Sequence, residues 1–184
     1  MPKILLVYAS NHGHTAKIAQ RLAETMREDG ADVHVHEGDD TFDSDPSDYD
    51  AVVVGASIHA GHHQRKVVDW VKGHANTLSS MPSAFFSVSL AAAEEDDEAR
   101  AATRKYLDDF AEETTWTPRT VTTFAGAVQY REYDFAIRLL MRLIVRNKPG
   151  HPTDTSHDYD YTDWSAVTRF GHECAAKLAA LTTA

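Results

Sequence analysis

The sequence predicts an α/β fold: a doubly wound, five-stranded parallel sheet in the order 2-1-3-4-5. Short apolar runs alternate along the chain with segments of helical period. The runs are apolar throughout rather than at every second residue, the pattern of strands buried on both faces. Right-handed crossovers then leave a doubly wound sheet, and five strands of this length favour that order.

Each element follows from local pattern. Residues 3–8 are a continuous apolar strand, and 14–28 a helix whose inward stripe is Ile18, Ala19, Leu22, Ala23 and Met26, stopped by Gly30. Residues 32–36 alternate as a short strand, and "YDAVVVGAS" (49–57) holds a second buried strand ending at Gly55. A helix is expected over 63–74 with Val67, Val68 and Val71 inward, then a strand over 84–88. Next come a helix over 95–112 carrying Tyr106, Leu107 and Phe110 on one face, and a strand over 120–126. The last helix spans 162–181, with Trp164, Val167, Phe170, Cys174 and Leu178 in register.

At 184 residues and 42% hydrophobic content, the chain suits one domain over 1–184 with a substantial core. A single cysteine, Cys174, excludes both an internal disulfide and a thiolate zinc site; on an apolar helix face it reads as a buried thiol. The first apolar run is too short for a signal peptide or a membrane span, so a cytoplasmic protein, soluble or peripheral, is expected. A formal net charge of −10 argues against nucleic-acid binding. The acidic runs at 39–50 and 94–98 read as solvated loops and a helix start.

In such a sheet, ligands bind at the carboxyl ends of the strands, which directs attention to residues 9–15, 55–62 and 87–93. The first loop reads Ser10, Asn11, His12, Gly13, His14, Thr15. A helix N-terminus offers free N–H groups, Ser10 and Thr15 add hydroxyls, and Gly13 permits close backbone approach or a positive φ. With no lysine and no G-x-G-x-x-G, the loop suits a phosphate monoester held by neutral donors, or else is an ordinary capped turn. Eleven histidines raise the question of a metal site. With no H-E-x-x-H pattern, His12, His14, His59, His62 and His63 read as polar lining at a ligand mouth, and no metal is assigned.

Ser-x-x-Gly-x-Thr after a first strand resembles the phosphate loop of the flavodoxins. "GASIHAGHH" (55–63), "HANTLSSMPSAFFSVSL" (74–90), "AGAVQYREYD" (125–134) and "YTDW" (161–164) extend the likeness over nearly the whole chain. Together they resemble the flavodoxin-like, quinone-dependent protoporphyrinogen dehydrogenase family of haem biosynthesis. The resemblance implies an FMN-dependent oxidoreductase taking protoporphyrinogen IX and a quinone as substrates. It places the FMN phosphate in residues 10–15, with Ala56, Ser57, Ile58 and His59 on one side of the flavin ring. Ser87, Val88, Ser89, Leu90 and Ala91 would border the other side through backbone groups. The chain departs from the family at His12 and His14, and at "IHAG", where the family carries Arg and Tyr before the glycine. His59 or His62 is a candidate flavin contact; no catalytic acid or base is assigned. Two alternatives share the fold: a flavodoxin electron carrier with no substrate of its own, and an NAD(P)H:quinone reductase.

Residues 130–148 exceed the five-strand plan. They are strongly apolar, and Arg138, Arg142 and Arg146 recur every fourth residue, as in one stripe of a helix. A basic amphipathic helix of this kind suits a membrane interface, packing on the domain, or a homo-oligomer contact. The stretch 147–160 reads as a turn-rich loop.

Overall fold

The computed structural model describes residues 1–38, 44–128 and 159–182. Strand β1 (Lys3–Ala9) leads through a short loop into helix α1 (His14–Glu28), followed by β2 (Asp32–Glu37) and β3 (Ala51–His59). A two-residue return strand, β4 (His62–His63), precedes α2 (Arg65–Ser80), β5 (Ser83–Ser89), α3 (Asp97–Thr114) and β6 (Thr120–Ala125). Strand β7 (Ala127–Val128) pairs antiparallel with β8 (Tyr159–Asp160), and α4 (Trp164–Thr182) follows. The five long strands are all parallel and run β2-β1-β3-β5-β6, the 2-1-3-4-5 order expected from the sequence. The expected helix over 130–148 lies outside the described residues, as do positions 147–158 of the expected loop.

Because the central strands are covered on both sides, alternate residues of each serve two different cores. Ile4, Leu6, Val53 and Phe86 pack beneath α1 and α4 with Ile18, Leu22, Phe170 and Leu178. Leu5, Val7, Val52, Val54 and Phe85 pack beneath α2 and α3 with Val67, Val71, Phe110 and Trp116. The rings of Phe85 and Phe110 stack with centroids 4.3 Å apart. Cys174 is buried in the first of these cores, and burial pushes its thiol up to about 12. Where β3 passes β5, Gly55 pairs with Phe86, whose ring occupies the space a side chain would need: a Cβ would sit 2.0 Å from Phe86 Cζ.

Several boundaries differ from the sequence expectation. Helix α2 begins at Arg65 rather than at residue 63, because His62 and His63 pair back onto His59 and Ile58 of β3. It also runs on to Ser80, where Pro82 follows and helix continuation is blocked. Helix α3 begins at Asp97, since the Asp96 carboxylate accepts the Ala99 N–H at 2.7 Å and caps it. Helix α4 begins at Trp164, where Asp163 Oδ1 accepts the N–H groups of Ser165 and Ala166. Tyr159 and Asp160, expected in a loop, belong to the β7–β8 ribbon.

Candidate functional site

The carboxyl ends of β1, β3 and β5 open onto a shallow cleft. Ser10, Asn11, His12, His14 and Thr15 line it from the first loop, and Ser57, Ile58 and His59 from the end of β3. Val88, Ser89 and Leu90 close it from β5. Among the described residues, none of its lining side chains is a lysine, arginine or carboxylate. Four predicted residues are not among its lining, one of them Gly13, which stands at the start of α1. Ala56 is fully buried in the core, Ser87 points under the sheet toward His63, and Ala91 lies in the 3-10 turn Ala91–Ala93. Gly126 and Ala127, which line the cleft from beyond β6, were missed; the loop after the fifth strand was not among those singled out.

One end of the cleft is the start of α1. Gly13 occupies the cap position with φ 77°, a conformation other residues adopt only at a cost, and it has no side chain with which to cap the helix. The first-turn N–H groups lack intrahelical acceptors and carry the positive end of the helix dipole. With the Ser10 and Thr15 hydroxyls, they form a neutral cradle for an anion.

His14 anchors this cradle from behind. Its ring is buried, and Nε2 lies 2.7 Å from Thr162 Oγ1. Thr162 in turn donates its hydroxyl proton to the Ala125 carbonyl at 2.8 Å, so His14 is the donor to Thr162. Burial lowers the His14 pKa, with a smaller contribution from Lys17; Asp160, 3.6 Å away, pulls the other way. Burial opposes ionisation of Asp160, yet the Thr162 N–H and the Trp164 indole N–H hold its carboxyl below the usual range. Backbone bonds continue the tie: Gly126 N–H to Ser89 O at 3.0 Å, and Tyr161 N–H to Gly126 O at 3.2 Å.

The β3–β4 hairpin forms another wall. Its turn places both Ala60 and Gly61 at positive φ, as a two-residue turn between twisted strands requires. His63, on the return strand, lies with Nε2 2.9 Å from Ser87 Oγ, its ring against Phe85 and Phe110. Burial pushes this imidazole down to about 4, against the attraction of Asp109 and aided by His62. The next residue, Gln64, is buried: it accepts the Ser57 N–H at 3.2 Å and donates to Asn11 Oδ1 at 3.0 Å. His59 lines the cleft mouth, whereas His62 faces a neighbouring hollow on the far side of Asn11.

A flavodoxin-domain model matches residues 5–156. The chain is 38% identical over 179 residues to the protoporphyrinogen IX dehydrogenase (quinone) of Leishmania major, covering 95% of this chain and 75% of that one. It is 35% identical over 173 residues to the protein of the same name from Escherichia coli (strain K12), covering 94% of each. The chain belongs to the quinone-dependent protoporphyrinogen IX dehydrogenase family.

Its members' fold is also that of solved flavodoxins. Flavodoxin 2 of Bacillus cereus superposes with a TM-score of 0.60 at 16% identity, over 95% of this chain and 99% of that one. The Streptococcus pneumoniae TIGR4 flavodoxin gives 0.55 at 18% identity, over 97% and 98%. In this protoporphyrinogen dehydrogenase homologue the cleft residues fit FMN. An uncapped helix start with neutral donors suits a phosphate monoester, and Ile58, Val88 and Leu90 supply apolar surface for a ring.

Proposed function

We propose that this chain is an FMN-dependent enzyme that dehydrogenates protoporphyrinogen IX to protoporphyrin IX and delivers the electrons to a quinone. The observation that carries the reading is 35–38% identity, over 94–95% of the chain, to proteins of that named activity. The cleft that fits FMN supports it. When bound, FMN supplies reversible two-electron chemistry between the two substrates. Each dehydrogenation removes two electrons and two protons from the tetrapyrrole, and both leave with the quinone as quinol.

The chain's own residues bind, orient and exclude water. Ser10, Asn11, Thr15 and the α1 amides would hold the phosphate with neutral donors. Ile58, Val88 and Leu90 would cover the ring, and His59 stands exposed at the mouth.

Anaerobic mixing of the oxidised holoprotein with protoporphyrinogen IX tests the reading. Rapid loss of flavin absorbance, restored by added quinone, is the expected result. No bleaching by protoporphyrinogen, with bleaching by NADPH, would assign the chain to the nicotinamide-dependent quinone reductases instead.

The reading also places the protein in the cytoplasm, peripheral to the membrane that holds the quinone. Support comes from the sequence of residues 130–148, apolar with a stripe of Arg138, Arg142 and Arg146. Among the described residues no helix is long and apolar enough to cross a membrane. Co-flotation with anionic vesicles is expected. Failure to float, with a dimer in sedimentation, would give the segment to contact between copies.

A further inference from the structure

Gln64 stands at the cap position of α2, yet its side chain does not cap that helix. It reaches across to two different walls of the cleft instead. The backbone N–H of Ser57 donates to Gln64 Oε1 at 3.2 Å, and Gln64 Nε2 donates to Asn11 Oδ1 at 3.0 Å. The direction of these bonds is dictated from one end. A backbone N–H can only donate, so the Gln64 amide must turn its oxygen to Ser57 and its nitrogen to Asn11. Asn11 must then turn its oxygen to Gln64. What remains for the cleft that Asn11 lines is its Nδ2 amide, a pure donor. Gln64 is 9% exposed, so water competes little at its end of the two bonds.

We infer that Gln64 is a positioning residue that sets the polarity of Asn11, so that Asn11 presents N–H donors rather than a carbonyl oxygen to the phosphate of FMN. The inference rests on the FMN reading above. It assigns Asn11 a defined electrostatic role in a cradle that, among the described residues, has no lysine or arginine. It also makes the end of β3, through the Ser57 amide, part of the phosphate site.

A Gln64→Glu variant tests the relay. The carboxylate still accepts from Ser57 but cannot donate, so Asn11 must reverse and turn its oxygen toward the phosphate. Affinities of the apoproteins for FMN and for riboflavin, which lacks the phosphate, are read by quenching of flavin fluorescence. Gln64→Glu is expected to weaken FMN about tenfold or more, the scale of one charge-assisted hydrogen bond. Riboflavin affinity is expected to stay within about twofold. In an Asn11→Ala background the same substitution is expected to have little further effect on FMN, because no amide is left to reverse. Equal losses in both backgrounds would mean plain charge repulsion or structural damage and would overturn the relay. So would unchanged FMN affinity in Gln64→Glu. Should Gln64→Glu not fold, Gln64→Ala is judged by the same dependence on Asn11. A wild-type apoprotein that binds no FMN would instead overturn the cofactor reading itself.

Discussion

His14, at the start of α1, donates from Nε2 to the hydroxyl of Thr162 across 2.7 Å, although the two residues are 148 positions apart. The bond joins the first loop of the cleft to the entry of the last helix. Its direction is set by Thr162, which spends its own proton on the Ala125 carbonyl. The phosphate loop, the end of β6 and the base of α4 therefore share one short chain of hydrogen bonds.

Thr162→Val keeps the shape but removes both bonds, leaving the buried His14 N–H and the Ala125 carbonyl without this partner. A loss of about 1–3 kcal/mol in unfolding free energy is expected from urea titration of the apoprotein. FMN affinity is expected to fall as well, since the loop loses its rear anchor. Thr162→Ser is expected to retain most of both.

The two buried histidines give acid sensitivity with a defined sign. His63 has a folded pKa of about 4 against an ordinary value of 6.5, and the His14 pKa is shifted in the same direction. The unfolded chain therefore binds protons that the folded one refuses. Stability is fully present above about pH 6.5 and is lost as the pH falls toward 4, by roughly 3 kcal/mol for His63. Unfolding titrations at pH 7.5, 6 and 5 should show this slope. His63→Gln, whose amide still reaches Ser87, should flatten it.

Gly13→Val tests the cradle. A Cβ there meets nothing within 4 Å, so the penalty is conformational: φ 77° is strained for a β-branched residue, by about 1–2 kcal/mol. The loop is expected to shift out of its cap geometry while the exposed position spares the fold. FMN affinity should fall about tenfold in a fluorescence titration, with the far-ultraviolet circular dichroism unchanged. Unaltered affinity would mean that the phosphate lies elsewhere.

Gly55→Ala tests the close crossing of β3 and the Phe86 ring. The added methyl would overlap Cζ and both Cε atoms of a fully buried side chain, so Phe86 must move. A loss of about 1–3 kcal/mol is expected from the denaturation midpoint, with partial recovery in the Gly55→Ala, Phe86→Leu double variant.

The sheet was legible because its signals are local. Residues 4–7 and 51–54 are apolar without alternation, and the stripe Ile18, Leu22, Met26 has helical period; both patterns report burial directly. The phosphate-loop candidates were legible for a similar reason, as they sit between a strand and a helix whose ends the pattern locates. Trp116 was not: it follows α3 in no regular element, and only the fold carries it against Phe85 and Phe110, where it is fully buried. His63 looked like the start of a helix because nothing local distinguishes a two-residue return strand from a helix entry. The partner of the Ser87 side chain was not legible either: the strand's alternation turns it beneath the sheet toward His63.

The sequence by itself determined the order of strands and helices and the three loops at which to look for chemistry, because periodicity and motif spacing are properties of neighbouring residues; its likeness to known relatives supplied the family. Only the tertiary structure decided which side chains of those loops share a space and what each donates or accepts. Gln64 meets Asn11 and Ser57, and His14 meets Thr162, through parallel crossovers that bring distant positions together. Hydrogen-bond direction depends on the full set of partners around each group, and no stretch of sequence contains that set.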